Sequence, residues 1–301
     1  MAPTMTPPMA PDAPAIPEID LSGADRLLVF GGAYGNLHAV GALLAEAGRL
    51  GIGPDAMICT GDTVAYCADP AETVETLRRA GMPHIKGNCE DALALRSPDC
   101  GCGFEEGTAC SLLSQHWFRY ADAHVDDDQR HWMASLPDLL AVRFAGRRLI
   151  VAHGTPRRMN QFVFASTPWP EKRAELDAVS ADGILAGHCG LPFTQIAEGR
   201  LWHNAGAIGM PANDGRPGTW YSLLSAVRDG IEIEHRQLAY DHRAASARMA
   251  EAKLLPDYAA TLRTGLWPSL DVLPPDERER TGQPLAPARH LWRAAGRPAA
   301  S

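Results

Sequence analysis

The chain has 301 residues, of which 46% are hydrophobic and 21% charged, with a formal net charge of −8 and a pI of about 5.7. The length allows one or two domains with a sizeable core. The acidic balance argues against broad binding to nucleic acid or an acidic membrane surface, which needs basic patches. No run approaches the ~18 apolar residues of a membrane-spanning helix.

Residues 1–24 include the proline-rich "MAPTMTPPMAPDAPAIPEID", which reads as a disordered or polyproline-like arm. It lacks the basic and apolar regions of a secretory signal. The cysteine count is 7, an odd number. Together these point to a cytoplasmic chain whose cysteines are free thiols or metal ligands. "RLLVFG" from Arg26 is a buried strand ending in glycine, and Leu37, Val40, Leu43, Leu44 and Ala47 then share one helical face. "AMICTG" from Ala56 is a second strand. Asp69, Pro70 and Glu72 then give a helix its cap, its proline at the first position and its early acid. "PHIKGN" from Pro83 reads as a third strand. Strand–helix–strand–helix–strand implies a parallel sheet with right-handed crossovers.

Two helical patterns, "ACSLLSQHWFRYA" and "DDDQRHWMASLP", make a helical insert over about 103–136. Strands resume with "RRLIVAHG" and "GILAGHCG", followed by two hairpins turning near Glu198-Gly199 and Asp229-Gly230. The main domain is expected over 25–240. Residues 241–301 read as a helical extension and proline-rich tail.

Four polar residues, Asp62, Asn88, His153 and His188, each follow a glycine or a strand-like apolar run, in "TGDT", "IKGNCE", "LIVAHGTP" and "ILAGHCG". In open α/β sheets, ligands bind outside the carboxyl ends of the strands, so four such ends can meet at one point. A carboxylate, an amide oxygen and two imidazoles suit a borderline divalent ion such as Zn, Mn or Fe. Taken singly, each is more often a cap or loop residue. Four in matching contexts are harder to assign to chance. Gly31 to Asn36 also resembles a phosphate-cradling turn, without the complete glycine pattern of a known loop.

In this order the motifs resemble the calcineurin-like metallophosphoesterase superfamily. The nearest part of it is the small prokaryotic branch with YfcE-like and diadenosine-tetraphosphatase-like members. "GNLHAVGALLAEA" resembles that branch's first helix and "HNAGAIGMP" its "NPGSVGQP" segment. The resemblance implies an α/β fold, a four-layer α-β-β-α sandwich, and a pair of metal ions clamping a phosphoester. It also implies that Asp62 is the bridging aspartate and that Asn88, His153 and His188 complete one metal's ligands. The other metal's ligands are replaced: Gly32 stands for an aspartate, and Tyr34 and Gly190 stand for histidines. Cys89 replaces the histidine implied as general acid.

The expectation is therefore a metal-dependent phosphoesterase holding one divalent ion and hydrolysing a phosphomonoester or diester of a small phosphorylated substrate. Tyr34, Asn36 and Arg157 are candidates for binding that substrate, and Cys89 and His203 for catalysis. One alternative is a non-hydrolytic binding or regulatory descendant of the fold. Another is a repurposed Zn or Fe enzyme using Cys67, Cys89 or Cys189, whose bland reading is as small buried hydrophobes. Cys100, Cys102 and Cys110 form a further cluster without paired C-x-x-C spacing. No nucleic-acid or membrane partner is expected, and a homo-oligomer is compatible with the sequence.

Overall fold

The strands that read as unbroken apolar runs are those buried on both faces. A computed structural model describes residues 15–293. In chain order, β1 (Glu18–Asp20) and β2 (Arg26–Phe30) precede α1 (Leu37–Leu50), β3 (Met57–Cys59), α2 (Pro70–Ala80) and α3 (Asn88–Ala94). The insert supplies α4 (Ala109–His124) and α5 (Asp127–Ser135). A hairpin of β4 (Leu139–Phe144) and β5 (Arg147–Ala152) then leads to α6 (Trp169–Ala178) and β6 (Gly183–Ala186). Two further hairpins are β7 (Phe193–Ala197) with β8 (Arg200–Asn204), and β9 (Thr219–Val227) with β10 (Gly230–Leu238). The chain closes with α7 (His242–Glu251), α8 (Pro256–Thr264), α9 (Pro275–Arg278) and β11 (Ala288–Arg293).

One sheet has the order β1-β4-β5-β6-β8-β7, the other β11-β10-β9-β2-β3. Period-two alternation divides each strand between two cores. Leu27 and Val29 of β2 face Leu149 and Val151 of β5 between the sheets, with Leu185, Leu224 and Ile233. The alternate residues Leu28 and Phe30 turn outward against Val40, Leu43 and Leu77 of α1 and α2. Ile150 and Ala152 turn the other way, against Leu176 of α6. The result is the expected α-β-β-α layering.

Three boundaries differ from the sequence reading. Glu18–Asp20, assigned to a disordered arm, pairs in parallel with Ala141–Arg143; residues 1–14 of that arm lie outside the described residues. "PHIKGN" is not a strand: His84 makes an isolated bridge to Cys59, and α3 begins at Asn88. Two closely spaced glycine and proline breaks leave too little chain there to build a ladder. The tail also returns to the structure, because Ala288–Arg293 pairs antiparallel with β10 and buries Trp292 between the sheets; residues 294–301 lie outside the described residues. The main domain therefore draws strands from both segments placed outside 25–240. Among the described residues, no helix is long and apolar enough to cross a membrane.

Candidate metal centre

Asp62, His153 and His188 lie just beyond the carboxyl ends of β3, β5 and β6, so both sheets contribute to one point. Asn88 arrives differently, as the first residue of α3 rather than from a strand end. The hub is Nε2 of His153, which is 3.2 Å from Asp62 Oδ2, 3.1 Å from Asn88 Oδ1 and 3.2 Å from His188 Nδ1.

Outer contacts fix which atom each side chain presents. His153 Nδ1 lies 2.7 Å from the Thr60 carbonyl, which only accepts, so Nδ1 carries the proton and Nε2 offers its lone pair. Asn88 Nδ2 donates to the Cys100 carbonyl at 2.8 Å, which turns its Oδ1 toward His153. Asp62 and His188 are held with positive φ, 58° and 60°, as is Tyr34 at 53°. Such backbone costs about 1–3 kcal/mol per residue and persists where the surroundings over-determine it.

Glu90 is part of those surroundings. It is fully buried and accepts from the backbone N–H groups of Asp62 (2.8 Å), Val64 (3.2 Å) and Gly87 (2.7 Å). Gly87 must be glycine, since a Cβ there would lie 2.2 Å from Asp62 Oδ1. Glu90 was not singled out from the sequence. Its only signal was its place in "GNCE", two residues past Asn88.

The electrostatics favour a cation at the hub. Burial opposes the charge on Asp62, yet His153 and His188 beside it hold its carboxyl below the usual range. Burial likewise opposes a charged His153, but Asp62 raises its pKa above that of a free imidazole. Burial and the facing His153 push His188 down to about 3, keeping it a neutral donor. Burial and Asp62 raise Glu90 to about 7.

Donor atoms around a divalent ion at ~2.0–2.2 Å stand about 3.0–3.4 Å from one another in tetrahedral or octahedral geometry. The spacings around His153 Nε2 match that range. Three lone-pair donors facing one imidazole nitrogen make a donor set that a cation fits.

Tyr34 occupies the neighbouring position. A Cβ on Gly32 would lie 2.5 Å from Tyr34 Cζ, and one on Gly190 would lie 3.6 Å from the Tyr34 hydroxyl. The ring thus lies over Gly32 with its hydroxyl toward Gly190. These are the three positions at which the sequence departs from the second metal's ligand set that its resemblance implies.

Other expected site residues do not join the centre. Asn36 caps α1, accepting from Ala39 N–H and donating to the Gly209 carbonyl, so its amide is already engaged and is not free for a phosphate. Arg157 turns to α6, donating to the Ala174 carbonyl and pairing with Glu175 at 3.6 Å. His203 is not on the rim; it is fully buried in β8 and bonded to Thr194. Cys89 is buried in α3, where its backbone N–H lies 3.3 Å from Asp62 Oδ1 and its thiol also bonds that carboxylate. Burial and the adjacent carboxylates keep its thiol well above the ordinary range.

Among the described residues, the only cluster able to hold a metal through His, Cys, Asp or Glu side chains is Asp62, His153 and His188, and no cysteine joins it. Burial also keeps Cys67 and Cys189 protonated, the latter pushed up to about 12. Cys100 and Cys102 are bonded to each other rather than free, and Cys102 Sγ accepts from Asn88 Nδ2 at 3.2 Å.

Asp62 and His188 face a cavity of about 720 Å³ including its open mouth. Its walls carry Tyr34, Tyr66, Phe104, Phe162, Tyr258 and Trp267. Phe162 lies against His188, with ring centroids 4.1 Å apart, and Tyr66 packs on both Tyr34 and Tyr258. Apart from Tyr34, none of these aromatics was singled out from the sequence, because they come from loops and helices scattered between residues 66 and 267.

A family model for calcineurin-like phosphoesterase matches residues 25–214, well over half of the chain. The chain belongs to the calcineurin-like phosphoesterase family. Its fold is similar to that of a metallophosphoesterase from Sphaerobacter thermophilus, at 21% identity and TM-score 0.63 over 81% of this chain and 100% of that one. It is also similar to the hypothetical protein PH1004 from Pyrococcus horikoshii, at 18% identity and TM-score 0.68 over 80% and 99% of the two chains. The uncharacterized protein MJ0912 of Methanocaldococcus jannaschii is 24% identical over 237 residues, 73% of this chain and 90% of that one. In this family member the matched region ends before α7 and α8. Tyr258 and Trp267, which wall the cavity, therefore lie beyond it.

Proposed function

We propose that this chain is a metal-dependent phosphoesterase with a single divalent transition ion held by Asp62, Asn88, His153 and His188. The observation that carries the single-ion reading is the Tyr34 ring lying across Gly32 toward Gly190, over the positions whose family ligands this sequence lacks. An ion bound at the four residues supplies a Lewis acid that polarises a phosphoryl oxygen and lowers the pKa of bound water.

The chain's own residues prepare the phosphate. Asp62 and His188 present their donors at the floor of the cavity, and Glu90 and the Thr60 carbonyl hold Asp62 and His153 in register. Burial and the charge of Asp62 raise the Tyr34 phenol well above its ordinary pKa. It therefore keeps its proton and donates a hydrogen bond to a non-bridging oxygen of a phosphoester seated beside His188. The aromatic walls exclude water from that position and lower the local dielectric, which strengthens every such contact.

Purified protein incubated with Mn or Zn should hydrolyse simple phosphoesters. Asp62→Ala and His188→Ala should each lower turnover by about 100-fold or more and lose the bound ion. Turnover at parental rates in both variants would remove the reading. Metal binding without turnover on any phosphoester would favour a non-hydrolytic descendant, for which the burial of Cys89 and His203 away from the cavity already speaks.

A further inference from the structure

The cavity is unusual in its charge as well as its walls. Among the described residues that line it there is no lysine or arginine, and Asp62 is its one carboxylate. Sites that take a phosphomonoester dianion commonly surround it with guanidinium and ammonium groups, and Arg157, the nearest such expectation, is turned to α6. A phosphodiester carries a single negative charge and so asks for less compensation in a cavity lined by no cationic side chain. A monoester, at about −1.5 to −2 near neutral pH, would leave uncompensated charge in an apolar cleft, which is costly.

The walls show what the rest of the ligand must be. Phe162 covers one side of His188, and Phe104 stacks on Phe162 with the ring planes 22° apart. Trp267 lines the same cavity. Its indole Nε1 donates to the Pro211 carbonyl at 2.7 Å and its backbone N–H to Asn213 Oδ1 at 2.9 Å, which fixes the ring in place. Trp267 Cζ2 reaches to within 3.6 Å of where a Gly190 side chain would begin. Tyr258 of α8 lines the cavity and packs on Tyr66 at a centroid distance of 4.6 Å. A cavity lined by several packed aromatic rings favours a flat aromatic guest, through area burial and ring-on-ring contact.

We infer that the cavity binds a phosphodiester bearing an uncharged, flat aromatic group, and that the segment after the family-matched region, through Tyr258 and Trp267, sets this choice. The inference rests on the phosphoesterase reading for its phosphate, and on the cavity lining for its aromatic group. Trp267 and Phe104 line one cavity with Asp62, His188 and Tyr34, so an aromatic group on those rings shares the cavity with the candidate ligands.

The test is calorimetric titration of the full chain, with and without added Mn, using diphenyl phosphate, diethyl phosphate and phenyl phosphate as probes. Diphenyl phosphate should bind about tenfold or more tightly than either of the others. Trp267→Ala and Phe104→Ala should each remove most of that preference while leaving metal content unchanged. Phe104 lies in a half-buried loop, so its variant keeps the test valid if Trp267→Ala fails to fold. Equal affinity for the three probes, or a preference that survives both variants, overturns the inference. Hydrolysis of the bound diester is scored separately. Preference without turnover defeats the phosphoesterase reading and leaves the subsite standing, whereas turnover without preference does the reverse.

Discussion

Tyr34 lies across Gly32 with its hydroxyl toward Gly190, and each of the three constrains the other two. Gly32 has φ +52°, and a Cβ there would meet both the Tyr34 ring and Ala207 Cβ, the latter at 2.8 Å. Gly32→Ala should therefore destabilise the fold by about 1–3 kcal/mol, from overpacking and left-handed backbone together, read as a drop in denaturation midpoint. Combining Gly32→Ala with Tyr34→Ala should recover the part of that loss that comes from the Tyr34 ring. Additive destabilisation in the double variant would mean that the ring and the glycine are not coupled. The four candidate ligands were legible in the sequence because each needs a glycine or a strand end beside it, and such contexts survive in one dimension. The misplacement of Asn36, Arg157 and His203 has a common cause. A polar residue beside a motif reads as functional, whereas these three spend their hydrogen bonds on a helix cap, a helix face and a core threonine.

At the scale of elements, α3 is a clamp as much as a helix. Its Glu90 takes three backbone N–H groups from the loop holding Asp62 and from its own N-terminus. Glu90→Ala leaves those donors without partners, at about 1–3 kcal/mol for each group not reached by water. The variant should melt well below the parent and bind metal weakly, even though residue 90 is not a candidate ligand; a variant with unchanged metal affinity would contradict the clamp. Strands β2, β5 and β6 were legible because burial on both faces makes them unbroken apolar runs. β11 was not. It is an edge strand, "ARHLWR", with one deeply buried residue, Trp292, whose indole donates to the Gly199 carbonyl. Ala288, His290 and Trp292 alternate with the more exposed Arg289, Leu291 and Arg293, but Trp292 is the one large apolar residue of the inward set, so only the partner strand reveals it.

Across the whole molecule, the two sheets are joined near one end by a buried polar chain. Thr194 Oγ1 lies 2.9 Å from His203 Nδ1 and 2.7 Å from His235 Nε2, and Ser222 bonds the other nitrogen of His235 at 3.2 Å. His290 of β11 is the next titratable ring, its centroid 6.0 Å from that of His235. Burial, then the neighbouring imidazoles, lowers His203 well below the ordinary range; burial and then His290 lower His235 to about 4. A histidine with a depressed folded pKa takes up its proton first in the unfolded chain. Its stabilisation is thus complete above about pH 6.5 and is lost as pH falls toward 4, up to about 3 kcal/mol for His235. Thermal midpoints should fall across that window, and His235→Asn should flatten the fall; an equal slope in the variant would assign the acid sensitivity elsewhere.

Metal content bears most directly on the centre itself. Protein loaded with excess Zn or Mn, desalted and assayed by plasma mass spectrometry should carry one ion per chain, and Asp62→Ala should carry none. Two ions per chain in the parent would mean that Tyr34 leaves the second position open, and would contradict a single-ion centre at Asp62, Asn88, His153 and His188.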